Sequence, residues 1–177
     1  MSPDVYWIRE IEPLRFGIMG HPRAGDWLER EVKGWRAAGV SKVVSLLQPY
    51  EVIELGLEAE AGLCAAHAIN LSSVPVTDHG VPDRAPDFLS AASATAAEIR
   101  AGSAAVAHCR AGIGRSGLFA ACVLSALGTR RSAIFPMLTR ARGISVPETP
   151  SQVAWFEAHC PESPSPFNNR FERTRER

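Results

Sequence analysis

The chain has 177 residues, of which 46% are hydrophobic and 21% are charged, and its 19 Lys and Arg balance 19 Asp and Glu. This length suits one domain, and the composition is that of a globular protein, so wholesale disorder is excluded. The net charge of zero argues against a protein that coats nucleic acid, because such a protein needs a strongly basic surface.

The first half of the chain predicts short strands that alternate with helices. Leu28, Val32 and Trp35 have helical spacing, with Asp26 as the expected N-cap and Gly39 as the end. The other predicted elements are one or two strands in 5–20, a buried strand at 43–47, helical residues at 50–66 interrupted at Gly56 and Gly62, a second buried strand at 68–71 and a long loop at 72–86.

The second half continues this alternation. A third buried strand at 104–107 runs into a Gly-bearing turn at 109–115, which opens into an apolar helix at 116–127. The pattern predicts an α/β fold, in which a central, mostly parallel sheet of four to five strands has helices on both faces. We expect one domain over 1–160 and a flexible tail over 161–177. Further helices are predicted at 86–101, 132–142 and 150–160.

The N-terminus and the cysteines predict a cytoplasmic protein. The opening sequence MSPDVYWIREIEP carries charges early and lacks the apolar core of a signal peptide. The longest apolar stretch without a charge, 116–129, is too short to span a bilayer. The four cysteines form no CxxC pair and the histidines show no ligand spacing with them, so we expect reduced thiols and no metal or other cofactor.

The segment HCRAGIGRSG at 108–117 combines the features of an anion-binding site. Its glycines allow a tight turn whose backbone amides point inward, and the following helix adds the positive end of its dipole. That setting stabilises the thiolate of Cys109 and makes it a nucleophile. Arg115 closes the turn with a planar fork that suits two oxygens of a phosphate. A nucleotide P-loop fits poorly, because its Lys-Ser/Thr pair is missing.

This segment resembles the signature of the cysteine-dependent protein tyrosine phosphatases, His-Cys-x5-Arg-Ser, and it matches that signature at every defining position. The flanking segments also resemble this family over residues 14–158, and the short chain is similar to its compact dual-specificity members. The resemblance implies a phosphate-binding loop between a central strand and the buried helix. Its members would be Arg110, Ala111, Gly112, Ile113, Gly114 and Arg115.

The resemblance also implies a mechanism in two steps. Cys109 would attack the phosphorus and form a phosphocysteine, which water then hydrolyses. Arg115 and the loop amides would bind the phosphoryl oxygens in both steps. His108 would order the loop and tune the thiol rather than act as a base, and Ser116 would donate a hydrogen bond to the sulfur.

The first step needs a general acid, which a carboxyl group on a mobile loop can supply. The chain offers Asp78, Asp83 and Asp87 in and beside the 72–86 loop. Asp78 lies near the place of the family's acid and is preferred, with Asp83 as the second candidate. The alternative for Asp83 and Asp87 is a charge at a helix N-terminus.

The stretch VPETPSQ at 146–152 resembles the family segment in which a glutamine helps to position the hydrolytic water, so Gln152 is a further candidate. The same residues also read as a capping box with Thr149 as the N-cap. Both roles can hold together.

Cys64 and Cys122 are candidates for a thiol that protects an oxidised Cys109, although for Cys122 the alternative is a position in the hydrophobic core. The arginines at 130, 131, 140 and 142 lie either on solvated faces or at the pocket rim.

The loop favours a phosphoprotein substrate, with phosphotyrosine accepted and phosphoserine and phosphothreonine as further targets. Arg110 is basic, but Ile113 stands where a lipid-directed loop usually holds a second basic residue, and zero net charge gives no attraction to a membrane. Alternatives with the same chemistry are an inositol phosphate, a phosphoinositide or an RNA 5′-phosphate. A catalytically silent phosphate-binding module is disfavoured by the presence of Cys109, Arg115 and Asp78. A thiol reductase or sulfurtransferase would also use a cysteine loop, but Arg115-Ser116 and the upstream Asp argue against it. A monomer is favoured, with no membrane or nucleic-acid partner.

Overall fold

The computed structural model describes residues 4–160, so the predicted tail at 161–177 lies outside the described residues. The strands within 4–160 are β1 (Tyr6–Trp7), β2 (Arg15–Met19), β3 (Val40–Ser45), β4 (Asn70–Ser73) and β5 (Ala104–His108). They form one sheet in the order β1-β2-β5-β3-β4. The β1 strand is antiparallel to β2, and the other neighbours are parallel. This topology confirms the predicted α/β fold with a mostly parallel sheet.

Helices cover both faces of this sheet. Two of them, α1 and α3, pack on one face in a hydrophobic cluster that includes Val43 and Val106. The helices α4 to α7 pack on the opposite face, against Phe16, Val44 and Ala107. The helices are α1 (Leu28–Ala37), α2 (Pro49–Glu54), α3 (Glu60–Ala66), α4 (Ala85–Arg100), α5 (Arg115–Ala126), α6 (Arg131–Arg142) and α7 (Pro150–His159).

The central strand β5 and the helix that follows it position the site. Because side chains alternate along a strand, Ala107 and Cys109 face the α5 side while Val106 faces α1 and α3. The small alanines of β5 leave room for α5, where ten residues from Arg115 to Leu124 are buried. Even so, no helix within residues 4–160 is long and apolar enough to cross a membrane.

The start of α1 differs from its prediction. The expected cap at Asp26 is wrong, because a 3-10 turn at Gly25–Trp27 precedes the helix and Trp27 is its N-cap, without a side-chain cap. The glycine at 62 does not interrupt a helix but lies inside α3. The break between α2 and α3 covers residues 55–59 and includes Gly56, which takes the left-handed conformation with φ of 65°.

Two strands are shifted from their predicted positions. The strand predicted at 43–47 is Val40–Ser45, because its pairing with β5 begins at Val40. The strand predicted at 68–71 is Asn70–Ser73. Ala68 belongs to the preceding turn, with a φ of 55° that no strand residue adopts. Apolarity alone therefore located both strands but not their ends.

Candidate active site

The phosphate-binding loop predicted from the sequence joins β5 to α5, with Cys109 directly after the strand and Arg115 at the start of the helix. Gly112 has a φ of 72°, and a Cβ atom there would lie 2.5 Å from the carbonyl carbon of Met19. Only glycine fits this position, because any side chain would collide with the backbone at the end of β2. The turn is therefore packed against the sheet.

Cys109 is buried in this turn and has two hydrogen-bond partners. Its Sγ accepts from the backbone amide of Gly112 at 3.3 Å and lies 3.3 Å from Oγ of Ser116. Both groups, together with the N-terminus of α5, favour negative charge on the sulfur. The contact with Ser116 is predicted by the sequence, whereas the amide partner depends on the fold of the turn.

Arg115 is a fully buried cation held by a carboxylate that the sequence analysis missed. Its NH1 and NH2 donate to the two oxygens of Glu51 at 2.5 and 3.0 Å. Burial disfavours the charge of Arg115, but the hydrogen bonds and charge of Glu51 outweigh it and raise the pKa of the guanidinium. Burial likewise opposes the charge of Glu51, and Arg115 more than compensates, so the pKa of Glu51 is lowered. The pair fixes the guanidinium plane beside the turn.

Asp78 is the acidic residue of the long loop that reaches the site. Its Oδ1 lies 2.8 Å from NH2 of Arg115, and its side chain is partly exposed. Asp83 is exposed, and within residues 4–160 it makes no side-chain hydrogen bond or ion pair. Asp87 lies in the first turn of α4 and pairs with Arg84. Of the three candidates, only Asp78 is beside Arg115.

The segment from Val74 to Arg84, named here the acid loop, is tied to the N-terminus of α7. Gln152 is buried, and its Nε2 donates to the carbonyl of Gly80 at 3.0 Å. His79 has a left-handed φ of 55°, and its Nδ1 lies 3.4 Å from Glu148. The predicted capping box of α7 is confirmed, because the side chain of Gln152 also accepts from the amide of Thr149. Gln152 therefore caps α7 and holds the acid loop at once.

A match to a family model shows to which family this chain belongs. The Tc-R-P family, described as "Polymorphic toxin system, DSP-PTPase phosphatase", matches residues 18–129, which run from the end of β2 to just beyond α5 and include the whole phosphate-binding loop. The chain belongs to this family. It is a phosphatase of the dual-specificity type. Among curated proteins, no sequence matches this phosphatase.

Solved structures share the fold of the phosphatase. Kinase associated phosphatase (KAP), with its catalytic-site cysteine replaced by serine, superposes with a TM-score of 0.79 at 17% identity, covering 89% of this chain and 93% of its own. Tk-PTP in the active form superposes with a TM-score of 0.71 at 22% identity, covering 89% of this chain and 97% of its own. PTPMT1 in complex with PI(5)P superposes with a TM-score of 0.65 at 19% identity, covering 82% of this chain and 89% of its own.

Two arginines shape the rim of the phosphatase site. Arg110 is partly exposed and pairs with Glu51 at 3.3 Å and Glu54 at 2.9 Å. The hydrogen bonds that Arg110 donates to Glu54 and Glu51 raise the pKa of its guanidinium. Arg142 donates to the carbonyls of Ala111 and Gly112 at 3.2 and 3.1 Å, which places it at the rim. From the sequence alone, Arg142 could lie either at the pocket rim or on a solvated face.

The remaining cysteines of the phosphatase occupy the core. Cys64 belongs to the cluster between the sheet and α1, while Cys109 belongs to the cluster on the other face. Burial, with a smaller effect of the Glu60 charge, raises the pKa of Cys64 to about 12. The Sγ of Cys122 lies 3.6 Å from that of Cys160. Over residues 4–160, no group of three His, Cys, Asp or Glu is arranged to hold a metal ion.

Proposed function

We propose that the phosphatase hydrolyses phosphomonoesters through a phosphocysteine on Cys109. The observation that carries this proposal is the convergence of Cys109, Arg115 and Asp78 on one turn. The sulfur lies in a donor-lined pocket, and the buried guanidinium of Arg115 contacts both the fixed carboxylate of Glu51 and the acid-loop carboxylate. A nucleophile, a phosphate clamp and a proton donor are therefore within one small site.

The proposed first step forms a sulfur–phosphorus bond and breaks the bond between phosphorus and the ester oxygen. The thiolate of Cys109 supplies the electron pair, and Asp78 gives its proton to the departing oxygen. In the present arrangement Asp78 pairs with Arg115. A bound phosphate dianion would compete for the guanidinium and release Asp78 toward the leaving group, since phosphate oxygens match the Arg fork.

The proposed second step breaks the sulfur–phosphorus bond. Water attacks the phosphorus, Asp78 takes its proton, and inorganic phosphate leaves while the thiolate of Cys109 is restored. Ser116 would donate to the departing sulfur, from which it lies 3.3 Å. The amide of Gln152 is close to the turn, because a Cβ atom at Gly114 would lie 3.1 Å from its Nε2. This proximity supports Gln152 in positioning the water.

We propose phosphoprotein as the substrate, with phosphotyrosine accepted and phosphoserine and phosphothreonine as further targets. Support comes from the ion pairs of Arg110, the basic residue after the nucleophile. Because its guanidinium pairs with Glu51 and Glu54, it is less available to the second phosphate group of a phosphoinositide. The second candidate is a phosphoinositide, favoured by the fold shared with PTPMT1, which was solved in complex with PI(5)P.

A substrate panel on the purified chain tests the proposal. It would contain an aryl phosphate, phosphotyrosine, phosphoserine and phosphothreonine peptides, phosphoinositides, inositol phosphates and RNA with a 5′-phosphate. We expect turnover of the aryl phosphate and of the phosphotyrosine peptide, and no turnover above background by Cys109→Ser. Turnover retained by Cys109→Ser would refute the nucleophile. A marked preference for a phosphoinositide would refute the protein substrate while leaving the chemistry intact.

A further inference from the structure

Two buried cysteines that the proposed mechanism does not use are in contact through their sulfur atoms. Cys122 lies within α5 and is 3% exposed, and Cys160 directly follows α7 and is 6% exposed. Their Sγ atoms are 3.6 Å apart, whereas a disulfide requires about 2 Å. Cys160 is the C-cap of α7, with a non-helical φ of −113° and ψ of 88°. A bond to Cys160 therefore does not have to bend the helix.

The fold separates this pair from the other two cysteines. Cys109 contacts Ser116 in the first turn of α5, and Cys122 is six residues further along the same helix, a rise of about 9 Å. A rigid helix therefore holds Cys122 away from Cys109. Cys64 packs on the opposite face of the sheet, in the cluster that includes residues of α1. Among the cysteines of residues 4–160, Cys122 and Cys160 are thus placed to bond to each other.

The surroundings of Cys160 favour its thiolate, which is the form of cysteine that reacts with oxidants. The hydrogen bond with Cys122 lowers the pKa of Cys160, and the positive charge of Arg131 acts in the same direction, against the effect of burial. Arg131 is held at this end of α7, because its NH2 donates to the carbonyl of Glu157 at 2.7 Å. The same sulfur contact and burial raise the pKa of Cys122. Cys160 is therefore the thiol that reacts first, and Cys122 is the thiol that completes the bond.

Independently of the proposed function, we infer that Cys122 and Cys160 form a redox site, which a hydroperoxide oxidises to a disulfide that fastens α7 to α5. In the first step the thiolate of Cys160 attacks the hydroperoxide. A sulfur–oxygen bond forms, the oxygen–oxygen bond breaks, and the second oxygen leaves as an alcohol or water after it takes up a proton. In the second step Cys122 attacks the sulfur of this sulfenic acid. The disulfide forms, and hydroxide leaves as water with the proton of the Cys122 thiol. The two thiols lose two electrons, which the peroxide accepts.

The disulfide would lie away from the phosphate-binding loop, on the two helices that support the site. The helix α5 begins at Arg115, and Gln152 near the start of α7 lies against the loop, because a Cβ atom at Gly114 would be 3.1 Å from its Nε2. Cys122 and Cys160 are each about two turns further along the chain. The bond would therefore hold α7, and with it the support of the acid loop, on the core. We expect it to stabilise the fold without entering the site.

The first test detects the bond itself in the full chain and changes neither cysteine of the pair. The protein is treated with hydrogen peroxide, the remaining thiols are blocked in denaturant, and the proteolytic peptides are analysed by mass spectrometry without reduction. We expect a cross-link between the peptides of Cys122 and Cys160, in the unmodified chain and in Cys109→Ser alike. A cross-link of Cys122 to Cys109 overturns the inference. So does the absence of any cross-link at a peroxide concentration that oxidises Cys109.

The second test measures the stabilisation by thermal unfolding of Cys109→Ser, which lacks the reactive thiol of the site. The disulfide joins residues 38 positions apart, so oxidation should raise the Tm by about 10 °C. A thiol reductant should reverse this rise. Addition of Cys160→Ala should abolish the rise, whereas the matched control Cys64→Ala, which removes another buried cysteine, should preserve it.

An unchanged Tm after cross-linking, or an equal rise without Cys160, overturns the stabilising role of the pair. If Cys160→Ala does not fold, the cross-link in the unmodified chain still decides whether the redox site exists. Neither measurement uses phosphatase activity. A failure of this inference therefore leaves the proposed function untouched, and a lack of turnover leaves this inference untouched.

Discussion

The phosphate-binding loop and the acid loop lie at the same site but are built in different ways. The first is a contiguous turn in which Cys109, Gly112, Gly114 and Arg115 are buried. The second is mostly exposed or half-buried, and His79 has 65% of its side chain accessible. The fixed turn suits electrostatic stabilisation, which requires preorganised groups, whereas the acid loop needs only a few contacts and can release Asp78 when phosphate binds.

The largest effect is expected in the fixed loop. Arg115→Lys keeps the charge but loses the fork that Glu51 holds, so we expect kcat/KM for an aryl phosphate to fall about 1,000-fold. Steady-state kinetics measure this loss. Arg100→Lys is a matched control, since Arg100 is exposed and donates to the carbonyl of Ala126 at the far end of α5. Near-normal activity of Arg115→Lys would show that this loop is not the clamp.

A loss that depends on the leaving group is expected in the acid loop. Asp78→Asn removes the proposed proton donor, so turnover of an alkyl phosphate should fall about 100-fold or more. An activated aryl phosphate needs less protonation and should lose less than about tenfold. The comparison of both substrates measures the effect, with Asp83→Asn as the matched control. Equal losses on both substrates, or a larger loss in Asp83→Asn, would move the acid away from Asp78.

Glu51 holds Arg115, which in turn contacts the acid loop, and the removal of Glu51 should have an intermediate effect. Glu51→Gln weakens charge-assisted hydrogen bonds to Arg115, so we expect kcat/KM to fall about tenfold. Glu31→Gln, which removes a carboxylate paired with Arg23, should leave activity unchanged. Unaltered activity in Glu51→Gln would mean that Asp78 and the turn hold the guanidinium without it.

The same carboxylate should also affect stability in acid. Folding lowers the pKa of Glu51 below its usual value of 4.5, because Arg115 and the amide of Gln48 outweigh its burial. The charged form therefore stabilises the fold above the unfolded pKa, and this contribution is lost as the pH falls through the lowered value. Denaturant unfolding from pH 7 to pH 3 should show a smaller decrease in stability for Glu51→Gln than for the wild type.

The smallest effect is expected where the acid loop is held against α7. Asn tolerates the left-handed conformation, so His79→Asn removes the contact with Glu148 without adding backbone strain. We expect kcat to fall about threefold with little change in KM, since the loop would spend less time in place. Glu148→Gln should give a similar loss. Additive losses in the double variant would show that the two residues do not act together.

The sequence by itself determined where the candidate site of this phosphatase lies. Cys109, Arg115 and Ser116 lie within eight consecutive positions, and a turn that leads into a buried helix brings such residues together by local geometry alone. The alternation of apolar strands and helices likewise predicted the α/β fold, because burial on both faces leaves a pattern in the sequence. Both predictions were possible because the residues that carry the signal lie close together in the sequence.

Only the tertiary structure decided which residues support that site. Glu51 is 64 residues away from Arg115, so it carries no local signal. From the sequence, the carboxylate of Glu51 on the short helix α2 is indistinguishable from a solvated surface charge. It meets Arg115 only because the parallel sheet places the ends of β3 and β5 side by side. The sequence preferred Asp78 over Asp83, but only the path of the acid loop places Asp78 beside Arg115. Long-range packing placed these charges, because their partners are set by the topology of the sheet and not by spacing in the chain.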